Sequence, residues 1–255
     1  MTSMSTSPTD LARLPTVVIT GASSGIGYAL ALEYLRRGWR VGLTARRVDR
    51  LERLREEYGA GRVVVRPLDV DRLAQVAPGL QAMFAELGQV DVVIVNAGIN
   101  RFSAVGRGDF ETEQAILQTN LLGAIATINA AAAWFMAHGG GHLVGIASVA
   151  ALLGVPKQAA YCASKAALVR YLDSARIELT RHDIRVTQLL PGFVVTDIMP
   201  DIARYPFAIS AERAAREMAD VIARGKSKAL VPAFPWAWLQ PFLPWIPDGM
   251  WRRLR

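Results

Sequence analysis

The chain has 255 residues, a length that one hydrophobic core can organise, with 52% apolar and 20% charged residues. This composition is typical of a globular protein and excludes a disordered or fibrous chain. The formal charge of +7 favours anionic partners, but basic residues are mixed with acidic ones, and neither a motif nor basic–aromatic interleaving indicates nucleic-acid binding.

Cysteine and histidine usage gives no sign of a metal site or a disulfide. The single cysteine, Cys162, cannot form an internal disulfide, and no metal-ligand spacing is present in the sequence. Residues 1–15 are rich in Ser and Thr and lack an apolar run. We therefore expect a flexible tail there, neither a secretory signal nor a membrane anchor, and a cytoplasmic protein.

Apolar, β-branched runs alternate with helical patterns along the chain. Such runs, without strict alternation, predict strands that are covered on both faces. The predicted strands are Thr16–Thr20, Arg40–Thr44, Arg62–Arg66, Val90–Val95, His142–Ala147, Ile184–Leu190 and Ala229–Val231. The predicted helices are Ile26–Arg37, Val48–Tyr58, Asp71–Leu87, Phe110–Ala137, Ala159–Arg181 and Ala211–Ala223. This alternation predicts one α/β domain over residues 16–231, a doubly wound parallel sheet with helices on both faces.

The first predicted strand runs into a glycine-rich turn that a helix follows. Glycines permit a tight turn and close approach of a diphosphate, which the helix N-terminus stabilises. The spacing is GxxxGxG, which differs from the GxGxxG of the standard dinucleotide fingerprint. The predicted phosphate-binding residues are Gly21, Ser23, Ser24, Gly25, Ile26 and Gly27.

Three further strand ends border the same predicted crevice. They carry, in chain order, Arg46 and Arg47, then Asp69 and Val70, then Asn96, Ala97 and Gly98. Arg46 and Arg47 stand where an acidic residue would bind the ribose hydroxyls of NAD, and arginine suits the 2′-phosphate of NADP. The sequence therefore favours NADP(H) over NAD, the alternative being that both arginines are ordinary surface residues at a helix start.

Tyr161 and Lys165 lie four residues apart in a predicted helix, so their side chains share one face. A neighbouring ammonium favours the phenolate and would lower the tyrosine pKa toward values useful for proton transfer. The pair by itself also fits an ordinary amphipathic helix with an incidental Tyr and Lys.

In this order, the motifs resemble those of the classical short-chain dehydrogenase/reductase family. The resemblance covers residues 16–231 and rests on TGASSGIG at 20–27, NAG at 96–98, Asn120, Ser148, YCASK at 161–165, PG at 191–192 and Thr196. It implies a Rossmann-type fold and hydride transfer between NADP(H) and a carbonyl or alcohol carbon. One departure is Val95, which replaces the first Asn of the family's usual NNAG.

The resemblance implies a role for each candidate catalytic residue. Tyr161 would protonate a carbonyl oxygen during reduction, and Ser148 would hydrogen-bond the same oxygen. Lys165 would lower the Tyr161 pKa and bind the nicotinamide ribose. Asn120 would hold a helix irregularity and a water that links Lys165 to solvent. The wall beside the nicotinamide would be shaped by Pro191 and Gly192, with Val194 and Thr196 at the carboxamide.

Two segments beyond these motifs bear on the substrate. The loop 198–209 is apolar and predicts a lid over a lipophilic substrate, or else a mobile surface connection. The Trp- and Pro-rich extension 232–255 has three competing interpretations. It docks on a membrane surface with its terminal Arg252, Arg253 and Arg255, it covers the cleft or contacts a subunit, or it merely folds back.

These observations predict an NADP(H)-dependent oxidoreductase that interconverts a lipophilic ketone and a secondary alcohol. The alternative is a catalytically silent nucleotide-binding regulatory or scaffold protein on the same fold. By resemblance we expect a homodimer or homotetramer that pairs through the helices bearing Asn120 and Tyr161. A small-molecule substrate is expected, with peripheral membrane contact through 232–255 as one interpretation.

Overall fold

A parallel sheet forms the centre of the computed structural model, which describes residues 14–107, 109–196, 202 and 205–245. Within these residues seven strands pair in the order β3-β2-β1-β4-β5-β6-β9. They are β1 (Thr16–Thr20), β2 (Arg40–Ala45), β3 (Val63–Pro67), β4 (Val92–Val95), β5 (Gly141–Ile146), β6 (Ile184–Pro191) and β9 (Lys228–Val231). A separate short ladder joins β7 (Val194–Val195) to β8 (Ile209–Ser210). The predicted parallel α/β fold is confirmed.

Helices cover both faces of this sheet. They are α1 (Gly25–Arg36), α2 (Asp49–Tyr58), α3 (Leu73–Leu87), α4 (Phe110–Leu117), α5 (Ala124–Ala137), α6 (Ala159–Leu179), α7 (Ala211–Ala223) and α8 (Ala233–Leu239). Alternate residues of a strand face opposite sides of a sheet. Accordingly, Val17 and Ile19 of β1 pack with Leu30 of α1 in one core, and Val18 packs with Phe84 of α3 in the other.

The predicted helix Phe110–Ala137 consists of two α-helices joined by a π-helical segment, Gln118–Gly123. By length and composition it could cross a membrane, but half of its most apolar window is buried inside this protein. The run Ala130–Ala132 and Phe135 belong to the core between this helix and the sheet. Its apolar character therefore reflects packing as a core helix.

Strand boundaries differ slightly from the sequence prediction at β4. The predicted strand began at Val90, but the strand begins at Val92. Asp91 precedes it, and its Oδ2 accepts a hydrogen bond of 2.7 Å from the backbone N–H of Thr16. A side chain thus satisfies the first N–H group of β1, and regular pairing starts one residue later.

Candidate active site

The carboxyl ends of β1 and β4 lie side by side at the centre of the sheet, where the strand order reverses. In open α/β sheets, ligands bind outside the carboxyl ends of the strands at such a switch point. The glycine turn after β1, the loop after β4 and the residues after β5 all begin at the carboxyl ends of these parallel strands. The topology therefore gathers the sequence-predicted site residues along one edge of the sheet.

Backbone geometry at the glycine turn excludes side chains. Gly21 has φ +66°, and a Cβ built there would lie 2.6 Å from Cα of Ala97. A Cβ on Gly27 would overlap Nδ2 of Asn96. Gly25 also has positive φ, and a Cβ there would lie 3.3 Å from Cγ2 of Thr196. The turn is thus packed tightly against the loop after β4 and lies next to Thr196.

Asn96 and Thr20 hold this turn in place. Nδ2 of Asn96 donates to the carbonyl oxygens of Thr20 (3.0 Å) and Gly21 (3.1 Å). The Thr20 hydroxyl accepts from the backbone N–H of Asn96 at 3.1 Å and of Ala97 at 3.3 Å. Asn96 was predicted to lie in a loop that borders the cofactor, and in the structure its side-chain amide braces the glycine turn. Thr20 was not predicted as a site residue, although it stands directly before the first glycine.

The N-terminus of α1 points out of the turn. Ser24 is the N-cap residue with extended backbone, and its side chain makes no capping hydrogen bond. The first N–H groups of a helix lack intrahelical partners and carry partial positive charge, which suits an anion. Ser23, Ser24 and Ile26 are partly exposed at this end. The turn and helix together form a cradle of the kind that holds a diphosphate.

The ends of β2 and β3 supply charged groups farther along the same edge. Arg46 and Arg47 are exposed, and a guanidinium nitrogen of Arg46 lies 3.8 Å from Oδ2 of Asp71. Asp69 accepts from the backbone N–H of Asp71 at 3.2 Å. Val70 is buried against the π-helical segment, since a Cβ on Gly123 would lie 2.8 Å from its carbonyl oxygen.

Asn120 lies at the centre of the π-helical segment and is fully buried. Its Oδ1 accepts from the backbone N–H of Ile99 at 2.7 Å, and its Nδ2 donates to the Ile99 carbonyl at 2.9 Å. Nδ2 also lies 3.3 Å from the Ser164 hydroxyl. The helix irregularity that the resemblance implied is confirmed. Asn120 connects the loop after β4 to the helix that bears Tyr161.

Tyr161 and Lys165 lie on one face of α6, as the spacing predicted. Nζ of Lys165 is 5.9 Å from the centre of the Tyr161 ring and donates to the Ile146 carbonyl at 3.0 Å. A Cβ on Gly98 would lie 3.6 Å from this Nζ and 3.2 Å from Oδ1 of Asn120. The ammonium is therefore held among the ends of β4, β5 and the π-helical segment.

Ser148 follows β5 and faces the same place. It is buried, and its hydroxyl accepts from the backbone N–H of Ala150 at 3.1 Å. It caps a short 3₁₀ turn, Val149–Leu152, and also hydrogen-bonds with Tyr161. The pair thus presents two hydroxyl groups to one location, which suits binding and protonation of a single oxygen atom.

Burial dominates the electrostatics of Tyr161 and Lys165. Desolvation raises the pKa of Tyr161, and its hydrogen bond with Ser148 only partly offsets this. Burial lowers the pKa of Lys165 to about 8. Lys165 was predicted to lower the pKa of Tyr161. This prediction is wrong for the protein without cofactor, because the net shift of the Tyr161 pKa is upward. The physical reason is that each charged form loses hydration inside the site, while the ammonium donates to a backbone carbonyl.

The residues predicted for the nicotinamide wall lie at and just after the end of β6. The backbone N–H of Gly192 donates to the Val231 carbonyl at 2.9 Å, which ties the wall to β9. Val194 pairs with Ile209, and its side chain is buried in the apolar core. Because the Val194 side chain is buried, only its backbone groups could contact a cofactor. Thr196 adjoins the glycine turn across the cleft.

The extension after β9 packs against this wall. A Cβ on Gly192 would overlap the indole of Trp236, and the Trp236 ring meets Phe193 edge-on at 5.3 Å between centroids. Phe193 also packs against Tyr205 at 4.8 Å. The described part of the extension therefore packs beside the end of β6. Residues 246–255, including Arg252, Arg253 and Arg255, lie outside the described residues, as do 198–201 and 203–204 of the predicted lid.

Comparisons with known proteins agree with this geometry. Residues 15–205 match the family model described as short chain dehydrogenase. An uncharacterized oxidoreductase from Myxococcus xanthus is 38% identical over 87% of this chain and 87% of its own length. A short-chain type dehydrogenase/reductase from Mycobacterium marinum is 31% identical, with a TM-score of 0.78 over 88% of this chain and 97% of that one. An alcohol dehydrogenase from Thermococcus sibiricus complexed with 5-hydroxy-NADP is 27% identical, with a TM-score of 0.77 over 85% and 95%.

Proposed function

This chain belongs to the short-chain dehydrogenase/reductase family, and we propose that it uses NADP(H) to interconvert a lipophilic ketone and a secondary alcohol. Family membership makes it an NAD(P)-dependent oxidoreductase of CH–OH and C=O groups. The observation that carries the proposal is the convergence of Tyr161, Ser148 and Lys165 beside the end of β5, on the same sheet edge as the glycine turn.

In reduction, Tyr161 donates its phenolic proton to the carbonyl oxygen, and Ser148 hydrogen-bonds that oxygen. When bound, the nicotinamide would supply the hydride that the carbonyl carbon receives. Burial raises the pKa of Tyr161, so the phenol retains its proton at neutral pH and is ready to donate it. Lys165 binds the nicotinamide ribose, and Asn120 holds a water that connects Lys165 to solvent. In oxidation it is the phenolate form of Tyr161, the form that proton donation leaves behind, that accepts the alcohol proton.

The residues around the glycine turn fit a dinucleotide. Gly21 and Gly27 let the turn pack tightly against Ala97 and Asn96, and the first N–H groups of α1, which lack intrahelical partners, are suited to binding phosphate oxygens. Gly25, Ser23, Ser24 and Ile26 then bind the diphosphate. The adenine is contacted by Asp69 and Val70, and the loop Asn96, Ala97 and Gly98 borders the ribose and nicotinamide.

Preference for NADP(H) is assigned to Arg46 and Arg47. Both are exposed after β2, where guanidinium groups can form bidentate contacts with a 2′-phosphate. Solved relatives bound to NADP derivatives support cofactor binding of this class. The wall residues Pro191 and Gly192, with Val194 and Thr196, complete the nicotinamide end.

The lipophilic substrate is supported by aromatic side chains that cluster near the end of β6 and the start of α8. Tyr205 and Phe207 are 46% and 52% exposed, and Phe207 meets Phe234 edge-on at 6.1 Å between centroids. Exposed aromatic surface beside a cleft is suited to burying an apolar ligand. Steroid-like, retinoid-like or long-chain acyl carbonyl compounds all fit this description.

Oligomeric state and location complete the proposal. We propose a homodimer or homotetramer that buries the helices carrying Asn120 and Tyr161, where Leu122, Met136 and Ile177 are exposed. The fold is typical of soluble proteins, and we propose a cytoplasmic location. Phe234, Trp238 and Phe242 are exposed on the extension. Peripheral membrane contact would occur there, and liposome sedimentation of a variant truncated before Trp236 tests it.

Tyr161→Phe is the decisive test of the function. It removes the proton donor and leaves the ring, so turnover of NADPH with a carbonyl panel should fall about 100-fold or more. The NADPH dissociation constant, measured by fluorescence titration, should stay within about twofold of wild type, because the aromatic ring is retained. A twofold change corresponds to roughly 0.4 kcal/mol of binding free energy. Full activity of the variant would refute the assigned proton transfer. A wild type that oxidises no NADPH across the panel would instead favour the silent regulatory or scaffold alternative.

A further inference from the structure

A pocket of about 450 Å³ lies between α7, β9 and α8, and none of the residues assigned to the candidate active site lines it. Its volume is within the range of roughly 300–1,000 Å³ that is typical of small-molecule sites. β9 is the last strand of the sheet among the described residues, so the pocket lies at a sheet edge. We call it the β9 pocket, and the lining residues that matter below are Val221, Arg224, Lys228, Leu230, Val231 and Ala237.

Much of the lining of the β9 pocket is aliphatic. Val221 and Val231 belong to the apolar core between α7 and the sheet and are 7% and 1% exposed. Leu230 is partly exposed, and Ala233 and Ala237 of α8 are exposed. The described residues that line the pocket include no aromatic side chain, so they offer no ring for stacking. Exposed aliphatic surface in a concave site suits an alkyl chain.

The two carboxylates that line the β9 pocket are already paired with arginines. Oε1 of Glu217 lies 2.8 Å from Nε of Arg213. Oδ1 of Asp220 lies 2.7 Å from a guanidinium nitrogen of Arg37. Neither of these arginines lines the pocket itself. The negative charges of the lining are therefore compensated from outside it.

The three cations of the lining are not compensated in this way. Arg224, Lys226 and Lys228 are exposed, and their side chains make no ion pair with a described residue. They follow one another around the end of α7 and the start of β9. Three positive charges thus border an aliphatic pocket, which favours a ligand with an anionic head and an apolar body.

We propose that the β9 pocket binds an anionic amphiphile, a molecule with a carboxylate or phosphate head on an alkyl chain. Arg224, Lys226 and Lys228 bind the head, and the aliphatic lining buries part of the chain. Trp238, the neighbour of Ala237 on α8, is 76% exposed and extends the apolar surface beside the pocket. A free fatty-acid anion and an acidic phospholipid both have this chemistry. The site is separate from the proposed oxidoreductase function and does not depend on it.

Charge reversal at the rim tests the recognition of the head. The probe is decanoate, with decanol as its neutral analogue, and binding to the full chain is followed by tryptophan fluorescence. Arg224→Glu combined with Lys228→Glu should raise the decanoate dissociation constant about 10-fold and leave that for decanol within about twofold. Arg53→Glu combined with Arg181→Glu, at exposed arginines outside the pocket, makes the same change in net charge and should affect neither probe.

Filling the pocket tests the place where the chain binds. Ala237→Phe puts a ring into the aliphatic lining and should weaken decanoate binding about 10-fold, whereas Ala223→Phe, at an exposed position outside the pocket, should not. Thermal unfolding verifies that each variant folds. Absence of decanoate binding to wild type, equal affinity for decanoate and decanol, or unchanged affinity in the Ala237→Phe variant would overturn the proposal.

Vesicles identify the source of the ligand. Wild type and the variant with Arg224→Glu and Lys228→Glu are sedimented with phosphatidylcholine vesicles that contain or lack phosphatidylglycerol. Retention by the anionic vesicles that is lost in the variant assigns the site to a membrane lipid. Decanoate binding that depends on the pocket residues, without retention by either vesicle, assigns it to a free amphiphile. Retention that the variant does not change, together with no effect of the variant on decanoate, would contradict the site. These results do not depend on whether the chain reduces a carbonyl compound.

Discussion

The proposed nucleotide end and the proposed substrate end of the site are held together in different ways. At the nucleotide end, the turn after β1 is fixed by four hydrogen bonds among Thr20, Gly21, Asn96 and Ala97, and by backbone contacts too close for a Cβ. At the substrate end, Gly192, Phe193, Tyr205 and Trp236 meet through aromatic faces and edges. Directional hydrogen bonds demand particular residues, whereas apolar contacts tolerate exchange of similar shapes. The first end is therefore suited to an invariant ligand and the second to substrates that vary.

The largest effect on the nucleotide end is expected from Gly21→Ala, which should weaken NADPH binding. The new methyl would lie 2.6 Å from Cα of Ala97 and force the turn away from the helix N-terminus. We expect NADPH affinity, measured by fluorescence titration, to fall about 100-fold or more, roughly 2.7 kcal/mol. Gly38→Ala is the matched control, because Gly38 also has positive φ but has no atom within 4 Å of the added methyl. It should lower stability and leave the NADPH dissociation constant unchanged, and an equal loss of affinity in both would contradict the steric explanation.

A smaller effect is expected where the nucleotide end meets solvent. Arg46→Asp places a carboxylate where the 2′-phosphate is proposed to bind, next to Asp71, which already lies 3.8 Å from Arg46. The ratio of kcat/KM for NADPH over NADH should fall about 10-fold, since each lost charge-assisted contact is worth about 1.5 kcal/mol or more. Arg53→Asp, an exposed arginine of α2, is the control for net charge. An unaltered ratio in Arg46→Asp would refute the assigned selectivity.

An effect on stability and not on binding is expected for Lys165, between the two ends. Burial lowers its pKa to about 8 in the folded protein, so the unfolded chain binds more protons above that pH. The free energy of unfolding should therefore rise as pH increases from 8 toward the unfolded pKa. Relative to Lys165→Met, wild type should gain on the order of 1–2 kcal/mol between pH 7 and 9.5, measured by urea unfolding. A difference between wild type and Lys165→Met that stays flat over this pH range would contradict the shift.

The sequence predicted well those features that depend on neighbours along the chain. The strand–turn–helix context gave the glycine turn, and helical periodicity gave the shared face of Tyr161 and Lys165. The irregularity at Asn120 came from the resemblance to the family, because local propensity in a run of Ala, Ile and Leu predicts an uninterrupted helix.

Features that depend on burial or on distant contacts were not predicted. The spacing of Tyr161 and Lys165 indicates a neighbouring charge but not how much water surrounds it, so the direction of the Tyr161 pKa shift was missed. The contact of Trp236 with Gly192 joins segments far apart in sequence, and no periodic pattern encodes it. The bracing role of Asn96 was likewise hidden, since an amide can serve a ligand or a backbone carbonyl equally well.

The π-helical segment Gln118–Gly123 has a further consequence for how the long helix is used. Each residue of an α-helix advances the side-chain direction by about 100°, so an extra residue in one turn rotates everything before it relative to everything after it. As a result, the part of the helix after the segment packs its alanines against the sheet, while Asn120 within the segment faces Ile99. Deleting a single residue within the segment would restore a regular α-helix. It would also rotate Asn120 away from Ile99, or the core alanines away from the sheet, by about 100°. The π-helical segment therefore fixes the rotation angle between the core-facing alanines of α5 and Asn120 at the candidate site.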